Sequence, residues 1–200
     1  MRDRRPSRHG FSLPEVTIVL AVVSILVMIS APAVSELATQ LSVRSATMEL
    51  SAVFLRARAR AVFERRNVGI RWISVAGDVS YTIYDDLNGN GVLTEDIRKG
   101  IDRPVVGPIS MQKRYPGITF TFLPKFDARD PGGEKIGDLT DPIRFGRSDI
   151  CTFSPLGDSS PGSIYLSNGR NRQAVVRISP QTGKIQVYEW AKARKTWVPL

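Results

Sequence analysis

The spacing of apolar residues changes character twice along the chain. Between Glu15 and Glu36 lie twenty residues without a charge. A helix of that length rises about 30 Å, the thickness of a bilayer's hydrocarbon core. Residues 37–66 stay free of Gly and Pro, which favours a continuing helix. There the apolar residues thin out to one stripe, with Leu50, Val53, Phe54, Ala57 and Ala61 at three- and four-residue spacing. Arg56, Arg60, Glu64 and Arg65 fall on the other face, which reads as solvated.

From Val68 the period becomes two. VGIRWISV and VSYTIY, joined by Ala76-Gly77-Asp78, read as a β-hairpin. Further strands are expected at Gly117–Leu123, Ser163–Ser167, Gln173–Ser179 and Lys184–Trp190, the last two joined by Pro180-Gln181-Thr182-Gly183. Residues 124–162, rich in Gly, Pro, Asp and Ser, read as a long loop excursion. The pattern predicts an α+β chain: a long N-terminal helix, first membrane-spanning and then amphipathic, packed on an antiparallel β-sheet.

Composition narrows the chemistry. The net charge is +9, and four arginines against Asp3 place +3 of it in the first ten residues. The single histidine, His9, sits in the same stretch, and Cys151 is the only cysteine. No intrachain disulfide is possible, and Cys151 is expected to be buried. A chain that loses its first ten residues keeps no histidine, and is poorly equipped for nucleophilic or imidazole-based catalysis.

The basic start and apolar run fit three kinds of segment. One is a secretion signal cleaved near Ala31-Pro32-Ala33. Another is a plain anchor, with the arginine-rich end cytoplasmic. The third is a signal cut ahead of the apolar run. Glu15 discriminates among them. A carboxylate in an apolar span costs about 2.5–3.5 kcal/mol at mid-bilayer, and neither a secretion signal nor an anchor needs one. If the chain is cut between Gly10 and Phe11, the new α-amino group lies four residues from Glu15. One subunit's carboxylate could then pair with a neighbour's amine in a low-dielectric fibre core and set its register.

His9-Gly10-Phe11-Ser12-Leu13-Pro14-Glu15-Val16 resembles the prepilin signal of type IV pilins and type II secretion pseudopilins. The resemblance implies cleavage after Gly10, N-methylation of Phe11 by a prepilin peptidase, and an assembly role for Glu15. Pro32 falls where these proteins commonly carry a helix-loosening proline, and a bend is expected there. Pro14 departs from the family's usual aliphatic residue, but within a first helical turn its missing N–H costs little. The implied organisation is a leader at 1–10, a transmembrane and fibre-core helix at 11–35, its amphipathic continuation at 36–66, and a periplasmic β-rich domain at 67–200. The implied partners are other pilins or pseudopilins, the prepilin peptidase and an inner-membrane assembly platform. The implied location is the bacterial inner membrane and then the fibre.

Phe153-Ser154-Pro155-Leu156-Gly157, the strands that follow and Gly183-Lys184-Ile185 are similar to the C-terminal part of the GspH/FimT group of minor pseudopilins and minor pilins. That implies a structural subunit at or near a fibre tip. The alternative is a tip-exposed module that binds DNA or a secreted substrate.

Two constellations carry possible chemistry. Asp86-Leu87-Asn88-Gly89-Asn90-Gly91-Val92 follows the start of a calcium loop, with side-chain oxygens at Asp86, Asn88 and Asn90 and a carbonyl at Val92. The closing bidentate carboxylate belongs at Ile97, whereas Glu95 and Asp96 come early, so calcium is expected only weakly. A Gly/Asn-rich turn is the competing reading. The tail holds Arg170, Arg172, Lys192, Arg194 and Lys195 among Tyr188, Trp190 and Trp197, a pattern compatible with a nucleic-acid backbone or with a solvated face. Asp127, Asp130, Asp138, Asp141, Asp149 and Asp158 are scattered through loops without catalytic spacing, and no enzyme activity is expected.

Overall fold

The computed structural model describes residues 12–124, 126–127, 129–179 and 182–200, with the side chains of residues 31–40 outside the description. The chain divides into two compact units, Met1–Ala38 and Thr39–Leu200. Helix α1 (Leu13–Glu64) begins in the first and ends in the second.

In the first unit, Leu13–Ser30 is long and apolar enough to cross a membrane, and none of it is buried. Its few hydroxyls are satisfied internally. Thr17, Ser24 and Ser30 donate to the carbonyls of Leu13, Leu20 and Leu26 at 2.9, 2.7 and 2.6 Å. These hydroxyls need no water, which suits a helix in lipid.

In the second unit the predicted stripe is the buried one. Leu50, Val53, Phe54, Ala57 and Ala61 are at most 1% exposed, and Val43 and Ala46 extend the stripe towards the N-terminus. The opposite face carries exposed Leu41, Met48, Leu55 and Val62 at seven-residue intervals. The helix ends where Arg65 adopts a left-handed conformation (φ 54°) and the Arg66 amide turns back to the Ala61 carbonyl.

The β-region forms two antiparallel sheets where one was expected. The first has the order β3-β2-β1-β5, from β1 (Val68–Val75), β2 (Asp78–Asp85), β3 (Arg103–Ser110) and β5 (Ile150–Phe153). The second has the order β4-β6-β7-β8-β9, from β4 (Ile143–Arg144), β6 (Gly162–Ser167), β7 (Gln173–Ile178), β8 (Ile185–Ala191) and β9 (Thr196–Pro199). The β1–β2 hairpin turns on two residues, Ala76 and Gly77, both at positive φ, as tight hairpins require. Strand β3 contains Pro104 and Pro108 and lies at a sheet edge, where a missing N–H leaves no neighbour unpaired. Two short helices, α2 (Thr94–Lys99) and α3 (Met111–Arg114), flank it.

One core joins the α1 stripe to both sheets, through Ile70 and Trp72 of β1, Cys151 and Phe153 of β5, Ile164 and Leu166 of β6, and Val176 of β7. Phe54 sits at its centre, with ring centroids 5.9 Å from Trp72, 5.7 Å from Phe145 and 6.4 Å from Phe153. Cys151 is fully buried, as expected, and burial pushes its thiol far above the ordinary range. A second cluster of Leu123, Phe126, Ile136, Tyr165, Val175 and Trp190 covers the far face of the second sheet. Alternation along β6 and β7 explains the division, since neighbouring residues on a strand point to opposite faces.

Residues 117–123, expected as a strand, form a strap instead. Only Thr119 bridges to Ser167, and the Leu123 amide is taken by the buried Gln173 side chain at 2.9 Å. The arginine face of α1 is also less solvated than its pattern suggests. Arg58 donates to the carbonyls of Gly157 and Thr182 at 2.9 and 3.0 Å. Arg60 forks onto Asp85 with two bonds of 2.8 Å.

Candidate functional site

Three regions hold the candidate residues. At the N-terminus, Gly10 and Phe11 lie outside the described residues. Glu15 stands in the first turn of α1, and the Ser12 amide donates to its carboxylate at 3.4 Å. Ser12-Leu13-Pro14-Glu15 thus gives half of a capping box, with Glu15 reaching back to the residue ahead of the helix. Pro14 falls in that turn, where helix amides have no internal partner. Pro32 lies inside α1 among the residues whose side chains are not described, and so does the bend expected there.

The second region is the loop from β2 through α2 to β3. The Asp86 carboxylate is 3% exposed and organises the turn. One oxygen accepts from the amides of Asn88 and Gly89 at 3.2 and 2.7 Å. The other accepts from the Asn67 side chain and the Gly91 amide at 2.8 and 2.7 Å. Burial pushes the Asp86 carboxyl up, but these donors outweigh it and hold it below the usual range.

Asp96, on α2, swings back across the loop. One of its oxygens accepts from the side-chain amides of Asn90 at 2.9 Å and Asn88 at 3.1 Å, which lowers its carboxyl. Glu95 takes no part. It is exposed and pairs with Arg98 and Lys99 at 3.3 and 3.1 Å. Val92 is buried, and its side chain lies where a Cβ on Gly69 would meet it at 2.6 Å, which locks the loop onto β1.

Sequence reasoning passed over Asp102. It is 1% exposed, accepts from the Leu93 amide at 3.1 Å through one oxygen, and has no hydrogen-bond partner for the other among the described residues. Its burial, with the charges of Asp86 and Asp96, pushes its carboxyl up against the pull of the Leu93 and Leu87 amides. Its position just past α2, six residues beyond Asp96, was the available signal. Among the described residues, no three acidic, His or Cys side chains stand together at metal-binding spacing.

The third region is the basic tail. In the β6–β9 meander the turn at 168–172 and the turn at 192–195 fall at the same end of the second sheet. Arg170, Lys192, Arg194 and Lys195 are exposed there, while Arg172 pairs with Glu189 at 2.9 Å. The interleaved aromatics belong to the second core instead: Trp190 and Trp197 pack edge-on at 5.3 Å, and both contact Phe126. Of the scattered aspartates, Asp130 pairs with Arg177 at 2.9 Å, Asp138 and Asp141 accept from the Thr140 and Ile143 amides, and Asp158 accepts from Ser154.

A search of curated proteins finds no match. Among solved structures, the type IV minor pilin FimU of Pseudomonas aeruginosa matches with 20% identity and a TM-score of 0.41, over 74% of this chain and 89% of that one. Over residues 5–31, the chain carries the prokaryotic N-terminal methylation motif.

Proposed function

We propose that the chain is a minor pilin or minor pseudopilin, a structural subunit at or near the tip of a type IV pilus or type II secretion pseudopilus. The methylation motif carries this reading, because it spans Gly10, Phe11 and Glu15 together. In this reading a prepilin peptidase cuts after Gly10 and methylates Phe11. The precursor spans the inner membrane once, with its N-terminus cytoplasmic and its β-rich domain periplasmic. An assembly platform then draws the subunit into the fibre beside other pilins, and its role there is structural, not catalytic. The exposed seam of Leu41, Met48, Leu55 and Val62 supports helix-to-helix contact, since a strict seven-residue repeat is the spacing of supercoiled helices.

Mass spectrometry of the mature chain tests the reading. The expected N-terminal residue is Phe11, one methyl group heavier than its plain mass. A chain beginning at Val34 would overturn the reading, because it would lack the helix that makes a fibre subunit.

A second reading is a tip-exposed module that binds nucleic acid. The gathering of Arg170, Lys192, Arg194 and Lys195 at one end of the sheet favours it. Gel-shift titration at several salt concentrations should then give a steep salt dependence, and each cation replaced by alanine should lower the slope by about 1. The absence of any shift at low salt removes this reading.

A further inference from the structure

A groove of about 300 Å³ runs beside α1, between the helix and strands β2 and β3. Buried Val53, Ala57, Tyr81 and Ile83 form its floor, and Val106 and Ile109 of β3 its far wall. Arg56, Arg60 and Arg114 also line it. Arg60 is balanced by its fork onto Asp85. Arg56 and Arg114 instead share one Glu49 oxygen, at 3.1 and 3.3 Å, which leaves a positive charge over. Burial and the Glu49 charge push the Tyr81 phenol up, against the pull of Arg56 and Arg114, so its hydroxyl lies among those three groups. That hydroxyl has no hydrogen-bond partner among the described residues, although Tyr81 is only 2% exposed. An apolar groove with a surplus cation and an unused hydroxyl at one end fits an apolar side chain with a carboxylate beside it.

The same chain presents such a pair. Leu156 is 93% exposed, more than any other large apolar side chain among the described residues. Asp158, two residues on, is exposed and forms no ion pair among them. Its carboxylate accepts from the Ser154 hydroxyl. The turn is held by its own bonds. The Gly157 amide donates to the Ser154 carbonyl at 3.0 Å, the Ser154 amide to the Asp158 carbonyl at 3.1 Å, and the Leu156 amide to Ser154 Oγ at 3.1 Å. A knob fixed before contact loses little freedom on docking.

Groove and knob lie on different sides of α1. Arg58 holds the Gly157 carbonyl at 2.9 Å. It stands two residues from both Arg56 and Arg60, which is about 200° around the helix. In the first sheet the groove lies at the β3 end, whereas the turn follows β5 at the other edge. A chain therefore cannot fill its own groove.

We infer that the Leu156–Asp158 turn of one copy docks into this groove on a second copy, with Leu156 on the apolar floor and Asp158 against Arg56, Arg114 and the Tyr81 hydroxyl. Each copy then keeps one turn and one groove unused, so the contact is head-to-tail and can repeat along a fibre. Both halves belong to the Thr39–Leu200 unit, so the contact stands or falls independently of cleavage at Gly10–Phe11.

The test uses full-length chains in detergent micelles. One population carries Pro155→Cys and one epitope tag, the other Val106→Cys and a second tag. Cys151 is buried and stays silent. Under a mild oxidant, disulfide dimers bearing both tags should exceed same-tag dimers by about tenfold, the margin that one buried leucine gives over chance collision. Leu156→Ser in the first population should remove that margin. Arg114→Glu in the second should do the same, and adding Asp158→Lys to the first should restore the yield, because the reversed charges match again. Leu156, Asp158 and Arg114 are exposed, so their variants should melt as the parent does. Sedimentation of the chain without added cysteines is the independent readout, in which Leu156→Ser should reduce self-association. Same-tag dimers in equal or greater yield overturn the inference. So does a yield that Leu156→Ser and the charge exchange leave unchanged. The absence of dimers bearing both tags overturns it as well, and assigns the groove to a different partner.

Discussion

Replacing Phe54 by alanine is expected to lower the stability of the Thr39–Leu200 unit by about 3–5 kcal/mol, the usual cost of emptying a buried aromatic site. The ring is fully buried and meets Trp72, Phe145 and Phe153, so a truncation leaves a cavity that three rigid rings cannot close. Domains are stable by about 5–15 kcal/mol in all, so the loss removes a large share. Phe63→Ala is the matched control. It lies on the same helix, but its side chain is 85% exposed, and its expected cost is within about 0.5 kcal/mol. Urea unfolding of both variants, followed by tryptophan fluorescence, measures the contrast. Similar costs for the two would show that the stripe at Phe54 is not what anchors the helix to the sheets.

Glu15→Leu should leave the precursor in the membrane and cut its entry into fibres by 100-fold or more. Removing one partner of a buried ion pair costs about 3–5 kcal/mol, because the other charge is left unpaired, and about 1.4 kcal/mol is a factor of ten. The substitution makes the helix more apolar, so poor membrane insertion would not explain the loss. The readout is the ratio of this subunit in sheared fibres to that in membranes, with mass spectrometry confirming that Gly10–Phe11 is still cut. Normal incorporation of the variant would end the pairing hypothesis.

The features legible from sequence were those set by local period. The α1 stripe, the β1–β2 hairpin and strands β6 to β8 follow from spacings of 3.6 or two, and burial follows the stripe along α1. Strand β3 was missed because its two prolines argue against a strand, and only its place at an edge makes them harmless. The two residues of β4 are too few to show a period. The strap at 117–123 alternates like a strand, yet Ile118 and Phe120 face one core and Leu123 the other as the chain crosses the end of β6. The split into two sheets was hidden because nothing local tells a strand which neighbour it will find.

In the Asp86 loop, the turn residues were readable from their spacing. Asp96 was counted as misplaced because linear counting assumes a fixed loop, and α2 changes where its side chain arrives. Asp102 was passed over for a different reason. A lone aspartate two residues past a glycine is a weak signal in sequence, and burial is what makes it unusual.

The contacts of Arg58 and Arg60 have a mechanical consequence. Arg60 ties the last turns of α1 to the end of β2, and Arg58 ties them to the carbonyls of Gly157 and Thr182. Tension drawn along α1 therefore enters the domain through several side-chain bonds at once, close to the aromatic core. Bonds loaded in parallel must break together, whereas bonds loaded in series open one by one. The end of the helix is built as a riveted joint, and tensile strength there should fall more steeply when both arginines are removed than the loss of either would suggest.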